Sequence, residues 1–332
     1  ILKAEIPNYF VATYRLKKAI KALNEIPREY RSKTDVDKKM IELSKIKQSA
    51  GQQGVLNMPT ITVGNIDITT VIEDTQKSIS GHQKFEALTL FARITSGVDM
   101  TSIAKKAKQR LKSSIMLNLT SINPVSPDGR TTAHIPSVCF PESIKNEFDS
   151  RILYNMIDVY CLDIGLKVIA HILPALEIIN VEHGFSENYF IRLAEESAFV
   201  PPKRAQLFGK GLYAGFCNDF ATAIHILIPQ FENAIRYHLK ERGTITTSLT
   251  EDGVEPEKSL NQLCGLTEFA TLFGANLSFE IPALLCNPSG PNIRNIVAHG
   301  LAEQDDFFSQ SIIYTWHFIY SLVVFQLPAQ TM

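Results

Sequence analysis

The apolar run from Ile312 to Leu327 is the feature that most limits what this chain can fold into. Its polar interruptions are Thr315, His317, Ser321 and Gln326. The run is shorter than the roughly 20 residues that a helix needs to cross a bilayer. It therefore predicts a buried core helix at about 309–326, and it does not favour a membrane span.

Most of the preceding chain also has helical periodicity. Apolar residues at an imperfect 3.6-residue spacing predict a helix at 8–31. The helix predicted at 35–50 is expected to end at Gly51 and Gly54, before an irregular stretch at 55–65. Further helices are predicted at about 67–80, 83–95, 103–112, 144–178, 186–197, 202–216, 217–242, 257–272, 279–286 and 291–299, with a break at Pro174 and a kink at Pro229. The expected fold class is all-α.

A loop at 121–136 is the preferred domain boundary. Its turn signals are Asn123-Pro124, Ser126-Pro127 and Asp128-Gly129. The 332 residues are enough for two or three domains. We expect a basic helical N-terminal region at 1–135, a helical connecting region at 136–204 and a helical bundle at 205–332.

The small net charge conceals two regions of opposite charge. Residues 1–120 hold 20 Lys and Arg against 11 Asp and Glu, whereas residues 121–332 hold 13 against 23. The basic region could bind nucleic acid, or it could dock on the acidic half of its own chain. The same two alternatives, a solvated face or a contact with an RNA backbone, apply to the cations of the helix at 103–112, which are Lys105, Lys106, Lys108, Arg110 and Lys112.

Composition favours a soluble globular protein, with 45% hydrophobic and 20% charged residues. The cysteines are Cys139, Cys161, Cys217, Cys264 and Cys286, and none forms a C-x-x-C pair. We expect buried thiols in a reducing cytoplasm, with no disulfide framework, metal or cofactor. No signal peptide is evident, although a chain that begins at Ile1 could have lost one. Gly209-Lys210-Gly211 lacks the spacing of a phosphate-binding P-loop.

Candidate chemistry lies in the segment Arg294-Asn295-Ile296-Val297-Ala298-His299-Gly300. On a helix Asn295 and His299 share a face, whereas Arg294 lies about 140° away from His299 around the axis. One short helix cannot easily aim both charged groups at one atom. Either the arginine stem bends round, or a second copy of the helix supplies the missing group. Gly290-Pro291-Asn292 predicts the helix start, and Gly300 is expected just after its end.

These residue types suit the cleavage of a phosphodiester without a metal. His299 can accept or donate a proton near neutral pH, and Arg294 can grip a phosphate with two donors. Asn295 can orient the imidazole. Two such helices in a dimer would form a composite site, and the RNA product would be a 2′,3′-cyclic phosphate. The alternative is that Arg294 and His299 cap and salt-bridge a helix packed in the core.

An upstream helix carries the expected supporting residues. Glu232 and Arg236 are spaced as an i,i+4 ion pair, which is their simplest interpretation. The functional interpretation is that Glu232 faces the motif helix and orients Arg294 or His299, while Arg236 adds a second phosphate contact. Asn233 lies between them as a further polar candidate.

The segment Arg294-Asn295-x-x-Ala298-His299-Gly300 resembles the RNxxxH signature of the HEPN superfamily, and more narrowly an uncharacterised family with an RNxxxHG motif. The stretch 227–236 and the turn that ends at Glu251-Asp252-Gly253 are similar to that family as well. The resemblance covers 205–328, and 1–200 is more vaguely similar to the helical region that precedes such domains. It implies a HEPN-like helical bundle. Many such domains are dimeric, metal-independent endoribonucleases, often toxins or phage-defence effectors, and others have no demonstrated activity.

The resemblance therefore implies an endoribonuclease that acts on RNA as a homodimer through its C-terminal bundle, with an antitoxin or defence partner of unknown identity. The rival hypothesis is a non-catalytic helical module that binds a nucleotide or a partner protein. The dimer separates the two hypotheses. Two sets of Arg294 and His299 that meet across a solvent-open cleft favour the enzyme, and a motif buried inside one chain without access favours the module.

Overall fold

The computed structural model describes residue 2 and residues 7–31, 34–58, 67–95, 97–113, 121–126, 129–135 and 150–327. Within these residues the fold is all-α, as predicted, and the paired backbone outside helices amounts to isolated antiparallel bridges. The α-helices are α1 (Tyr9–Asn24), α2 (Arg28–Arg31), α3 (Val36–Leu56), α4 (Thr69–Ile79), α5 (Lys84–Arg93), α6 (Met100–Ser113), α7 (Ser150–Lys167), α8 (Leu173–Glu182), α9 (Glu187–Glu196), α10 (Ala205–Phe216), α11 (Phe220–Glu241), α12 (Leu260–Cys264), α13 (Thr267–Leu285), α14 (Ile293–Ala298) and α15 (Gln310–Phe325).

The chain forms two compact units. The smaller unit comprises Ile1–Asn65 and Met116–Phe140, and the larger comprises Ile66–Ile115 and Pro141–Met332. These bounds differ from the expected division at 135 and 204, because α4, α5 and α6 belong to the same unit as the C-terminal helices. A bundle at 205–332 that is a domain by itself stays a prediction.

Glycine has an unexpected role in the smaller unit. The predicted end of the second helix at Gly51 and Gly54 is wrong, because α3 continues to Leu56. Both glycines are buried, and a side chain at Gly51 would overlap the carbonyl of Gly129. A side chain at Gly54 would lie 3.2 Å from the ring of Phe10 on α1. These glycines therefore allow close packing of the chain and do not interrupt the helix.

Three other predictions concern the smaller unit. The helix expected at 8–31 is divided into α1 and α2, since Pro27 precedes the four residues of α2. Most of the irregular stretch predicted at 55–65 lies outside the described residues, although Val55 and Leu56 are helical. The predicted loop at 121–136 contains two antiparallel bridges, Ile122 with Ile135 and Val125 with Thr131.

The core of the larger unit surrounds α15. Every residue from Ile312 to Ser321 is buried, so the prediction of a core helix is confirmed. The polar atoms of its large side chains find backbone acceptors on neighbouring helices. Trp316 Nε1 donates to the Leu212 carbonyl at 3.1 Å, and the Tyr320 hydroxyl donates to the Leu88 carbonyl at 2.7 Å. These bonds satisfy buried donors that would otherwise destabilise the core.

The glycines of α10 fix the packing of the helices around the candidate site. A Cβ atom at Gly209 would lie 2.5 Å from Ile191 Cγ1 of α9, and one at Gly211 would lie 2.6 Å from Leu227 Cγ of α11. A Cβ atom at Gly215 would overlap the indole nitrogen of Trp316. The Gly209-Lys210-Gly211 sequence therefore serves close helix contacts, which bring α10 against α11.

One helical stretch runs without a break from Ser150 to Glu182. The predicted break at Pro174 is wrong, because the π-helical turn Val168–Ile172 precedes this proline and Pro174 occupies the first turn of α8. In the described part of the chain this stretch alone is long and apolar enough to cross a membrane, by length and composition only. Such a segment is weak support for a membrane span, since buried core helices have the same properties.

Candidate functional site

Two helices of the larger unit supply the candidate site. The long helix α11 begins after Asp219, whose side chain accepts from Thr222 N at 3.0 Å, and it continues through Pro229. It carries Glu232, Asn233 and Arg236. The motif helix α14 is six residues long and carries Arg294 and Asn295.

The Glu232 carboxylate joins the two helices, as the functional interpretation of the sequence requires. Arg294 Nε donates to Glu232 Oε2 at 3.2 Å across 62 residues of sequence. Arg236 Nη2 donates to the other oxygen, Oε1, also at 3.2 Å. The side chain of Glu232 is 15% exposed and that of Arg294 is 33% exposed. One largely enclosed carboxylate is therefore shared by two guanidinium groups.

A second carboxylate lies behind this pair. Arg236 Nε forms an ion pair with Glu257 Oε2 at 3.0 Å, and Lys240 Nζ lies 2.6 Å from Glu257 Oε1. The pKa of Glu257 is lowered first by the hydrogen bond from Lys240 and further by the charges of Lys240 and Arg236. Arg236 also donates to the Lys258 carbonyl at 2.5 Å. Arg236 thus has several partners, whereas Arg294 is paired with Glu232 alone among the described residues.

A pocket of about 420 Å³ opens beside the shared carboxylate. We call it the arginine pocket, and its lining residues are Arg204, Ile228, Pro229, Gln230, Glu232, Asn233, Arg236, Arg294, Val297 and Ala298. Glu232, Asn233, Arg236 and Arg294 were predicted as site residues from the sequence. The fold therefore brings four of the six predicted motif and supporting residues to one cavity, and Asn295 and His299 are outside its lining.

Sequence reasoning missed Arg204. This residue precedes the first turn of α10, and its Nη1 donates to Gln230 Oε1 at 3.4 Å. A cation at the N-terminus of a helix is electrostatically unfavourable, because that end carries partial positive charge. An arginine directly before a helix that Pro201-Pro202 introduces was therefore a signal of a nonlocal role, but the sequence did not indicate its partner.

The end of the motif helix has the expected geometry. Gly300 has a positive φ of 60°, and its N–H donates to the Val297 carbonyl at 3.2 Å. Leu301 N donates to the Ile296 carbonyl at 2.9 Å. This pair of bonds is a Schellman motif, which confirms Gly300 as the residue after the helix cap. The cap itself is His299, which leaves the helix and is exposed to solvent.

The structure does not place Asn295 in contact with the imidazole. Among the described contacts, the bond between the two residues is the backbone bond from His299 N to the Asn295 carbonyl at 3.1 Å. Asn295 is half-buried, and His299 is exposed. The expectation that Asn295 orients His299 therefore stays a prediction, since it requires a side-chain rearrangement or a second chain.

A pair of thiols lies close to the shared carboxylate. Cys264 ends α12 and Cys286 follows α13. The interaction between the two thiols is the main cause that lowers the pKa of Cys286, and the positive charge of Arg294 lowers it further. The expectation that the cysteines are buried is wrong for Cys217, which is exposed, while Cys161, Cys264 and Cys286 are half-buried and Cys139 lies outside the described residues.

The basic helix predicted at 103–112 is confirmed as α6, and its apolar face is buried. Lys105, Lys106 and Lys112 are exposed, whereas Lys108 and Arg110 are half-buried. Arg110 forms an ion pair with Asp158. None of the five cations lines the arginine pocket. A contact of this face with RNA would thus depend on the three exposed lysines, and it stays a prediction.

Comparison of the chain with protein-family models, with curated proteins and with solved structures found no match. The functional argument therefore rests on the residues and on their geometry.

Proposed function

We propose that this chain is a metal-independent endoribonuclease of HEPN type, in which two copies form a composite site from Arg294 and His299. Its substrate is RNA, and its setting is a cytoplasmic toxin or phage-defence system with a controlling partner of unknown identity. The proposal rests on the motif and on the accessibility of its side chains. No cofactor takes part in the chemistry that the residues themselves can perform.

Accessibility supports an enzyme over a buried structural motif. His299 is exposed, and Arg294 is one third exposed at the wall of the arginine pocket. A substrate phosphate can therefore reach both groups from solvent. Burial of both side chains, like that of His317 on α15, would instead have closed them to a substrate.

One observation carries the dimer. Glu232 holds the Arg294 guanidinium at the wall of the arginine pocket, whereas His299 lies past the helix end and outside that lining. When an RNA phosphate binds to Arg294, the same pocket wall therefore offers no imidazole that could transfer the protons of the cleavage reaction. A second chain related by a two-fold axis can supply its own His299 to that phosphate.

The reaction would proceed by transesterification. A histidine accepts the proton of the ribose 2′-hydroxyl while the 2′-oxygen attacks phosphorus. The bond to the 5′-oxygen breaks, and the same imidazole, now protonated, returns the proton to that leaving group. Arg294 stabilises the charge on the nonbridging oxygens. The products are a 2′,3′-cyclic phosphate and a 5′-hydroxyl.

The proposal is tested with purified protein and structured RNA in EDTA. The wild type should cleave the RNA and leave a 2′,3′-cyclic phosphate, while His299→Ala should be inactive. His225→Ala is the matched control, because His225 is an exposed histidine of α11 outside the arginine pocket. Activity that disappears in EDTA, or a 3′-hydroxyl product, would contradict the metal-free mechanism.

The rival function is a binding module without catalysis. The ion pair between Arg294 and Glu232 favours it, since a guanidinium already bound to a carboxylate needs no substrate for its charge to be balanced. Under this hypothesis His299→Ala binds its partner normally, and the wild type leaves RNA intact.

A further inference from the structure

The wall of the arginine pocket has an excess of positive charge. Arg204, Arg236 and Arg294 line it together with a single carboxylate, Glu232, which leaves a formal charge of +2. Glu257 balances Arg236 from behind the pocket. Three guanidinium groups around one cavity repel one another, so an anion in the cavity would stabilise the arrangement.

Arg204 is the cation with the weakest compensation. Among the described residues its partner is the neutral side-chain oxygen of Gln230, at 3.4 Å, and no carboxylate lies within ion-pair distance of it. Arg236 and Arg294 already share Glu232. An incoming anion would therefore gain most from Arg204, which loses no ion pair when it binds.

The remaining walls suit an organic group. Ile228, Pro229, Val297 and Ala298 give apolar surface, and Asn233 offers an amide that can donate and accept hydrogen bonds. A volume of about 420 Å³ lies within the range of small-molecule pockets, roughly 300–1,000 Å³. Inorganic phosphate would leave most of this space and all of the apolar surface unused.

We infer that the arginine pocket of each chain binds a phosphate monoester attached to a partly apolar ring system, with Arg204 as its principal phosphate contact. Such a group occurs in a free mononucleotide and at the 5′-phosphorylated end of an RNA strand. The inference goes beyond cleavage, because the site lies within one chain and does not require His299. Bound phosphate would also compete with Glu232 for the Arg294 guanidinium.

The inference is tested by isothermal titration calorimetry in the His299→Ala background, which prevents cleavage of any oligonucleotide under the proposed mechanism. Adenosine monophosphate should bind at least about tenfold more tightly than adenosine, because charge-assisted bonds to arginine are lost with the phosphate. Arg204→Gln should remove that advantage, and Arg204→Lys should retain part of it. The matched control is Arg192→Gln, an exposed arginine of α9 outside the pocket, and it should change nothing.

Two further ligands distinguish a free nucleotide from an RNA end as the source of the phosphate. They are a 5′-phosphorylated trinucleotide and the same trinucleotide with a 5′-hydroxyl. Tighter binding of the phosphorylated trinucleotide than of adenosine monophosphate assigns the pocket to an RNA end, and the reverse assigns it to a free nucleotide. Equal binding of adenosine and its monophosphate, or equal losses in Arg204→Gln and Arg192→Gln, would overturn the inference. Because binding is read without catalysis, a failure of the RNase proposal leaves this result interpretable.

Discussion

His317 and His299 occupy opposite environments in the same unit. His317 lies on α15, is 1% exposed, and its Nε2 donates to the Phe91 carbonyl at 2.9 Å. Burial lowers its pKa to about 4, so it is neutral at physiological pH. His299 caps a six-residue helix at the surface and is exposed to solvent.

The same residue type can therefore have two different roles in this unit. An enclosed imidazole with a satisfied donor stabilises the fold and cannot reach a substrate. An exposed imidazole at a helix end contributes little to stability but is accessible to a ligand from solvent. Changes around His317 should therefore affect stability, and changes around His299 should affect activity.

The largest expected effect is on activity at the surface site. Arg294→Ala should lower RNA cleavage by roughly 100-fold or more, because the scissile phosphodiester loses the guanidinium that stabilises its charge. The melting temperature should change little, since Glu232 keeps its ion pair with Arg236. Rates and thermal unfolding are measured on the same samples. Arg294→Lys should rescue little, Asn295→Ala should be intermediate, and a collapse of the fold in Arg294→Ala would assign the residue a structural role.

The second effect is the pH dependence of the core. An unfolded histidine has a pKa near 6.5, and the folded value for His317 is about 4, so the unfolded state binds the proton first. Stability is full above pH 6.5 and falls as the pH drops towards 4, by on the order of 3 kcal/mol for this group. Chemical denaturation at several pH values should show a shallower decline in His317→Gln than in wild type. An unchanged decline would show that protonation of His317 does not cause the loss of stability. His225→Gln is the control at an exposed histidine.

The third effect concerns helix packing in the core. Gly215→Ala should destabilise the protein by about 1–3 kcal/mol, because the new methyl group overlaps the Trp316 indole. Gly165→Ala is the matched control, since a Cβ atom on this α7 residue meets no described atom within 4 Å. That substitution should be neutral or stabilise the helix by up to about 1 kcal/mol. Urea denaturation measures both, and equal effects would contradict the packing argument.

The smallest expected effect on stability is at Gly300, which is exposed at the surface. Gly300→Ala should cost about 1 kcal/mol, because alanine is strained at the positive φ of this position. Since Gly300 follows His299 directly, cleavage should also fall a few-fold. Gly97→Ala serves as the control, as its backbone is not in the left-handed region and its Cβ atom would point into open space. A loss of stability without any change in rate would separate Gly300 from the candidate site.

Local signals predicted much of this structure. The apolar run gave the core helix, predicted at 309–326 and found at Gln310–Phe325, and the basic helix at 103–112 lies within α6. Gly300 was recognised because a glycine after a helix is a local signal with a local cause. The spacing of Glu232 and Arg236 likewise predicted an ion pair one helical turn apart.

Features that depend on distant contacts were not predictable. Gly51 reads as a helix end, but its role depends on Gly129, which is remote in sequence. The stretch at 257–286 was predicted as two helices with a gap, and the structure has α12 and then α13, which bends at Gly274. The position of Arg204 in the arginine pocket was not predictable, because nothing near it in sequence indicates that α10 packs beside Gln230 of α11.

The central claim is that each composite site takes Arg294 from one chain and His299 from another. It is tested by mixing an Arg294→Ala protomer with a His299→Ala protomer after chain exchange, which differently tagged copies verify. The mixed dimer should recover part of the RNA cleavage that neither parent has, because one complete arginine and histidine set is restored. Verified exchange without any recovered cleavage, or full activity in a strictly monomeric wild type, would contradict the claim.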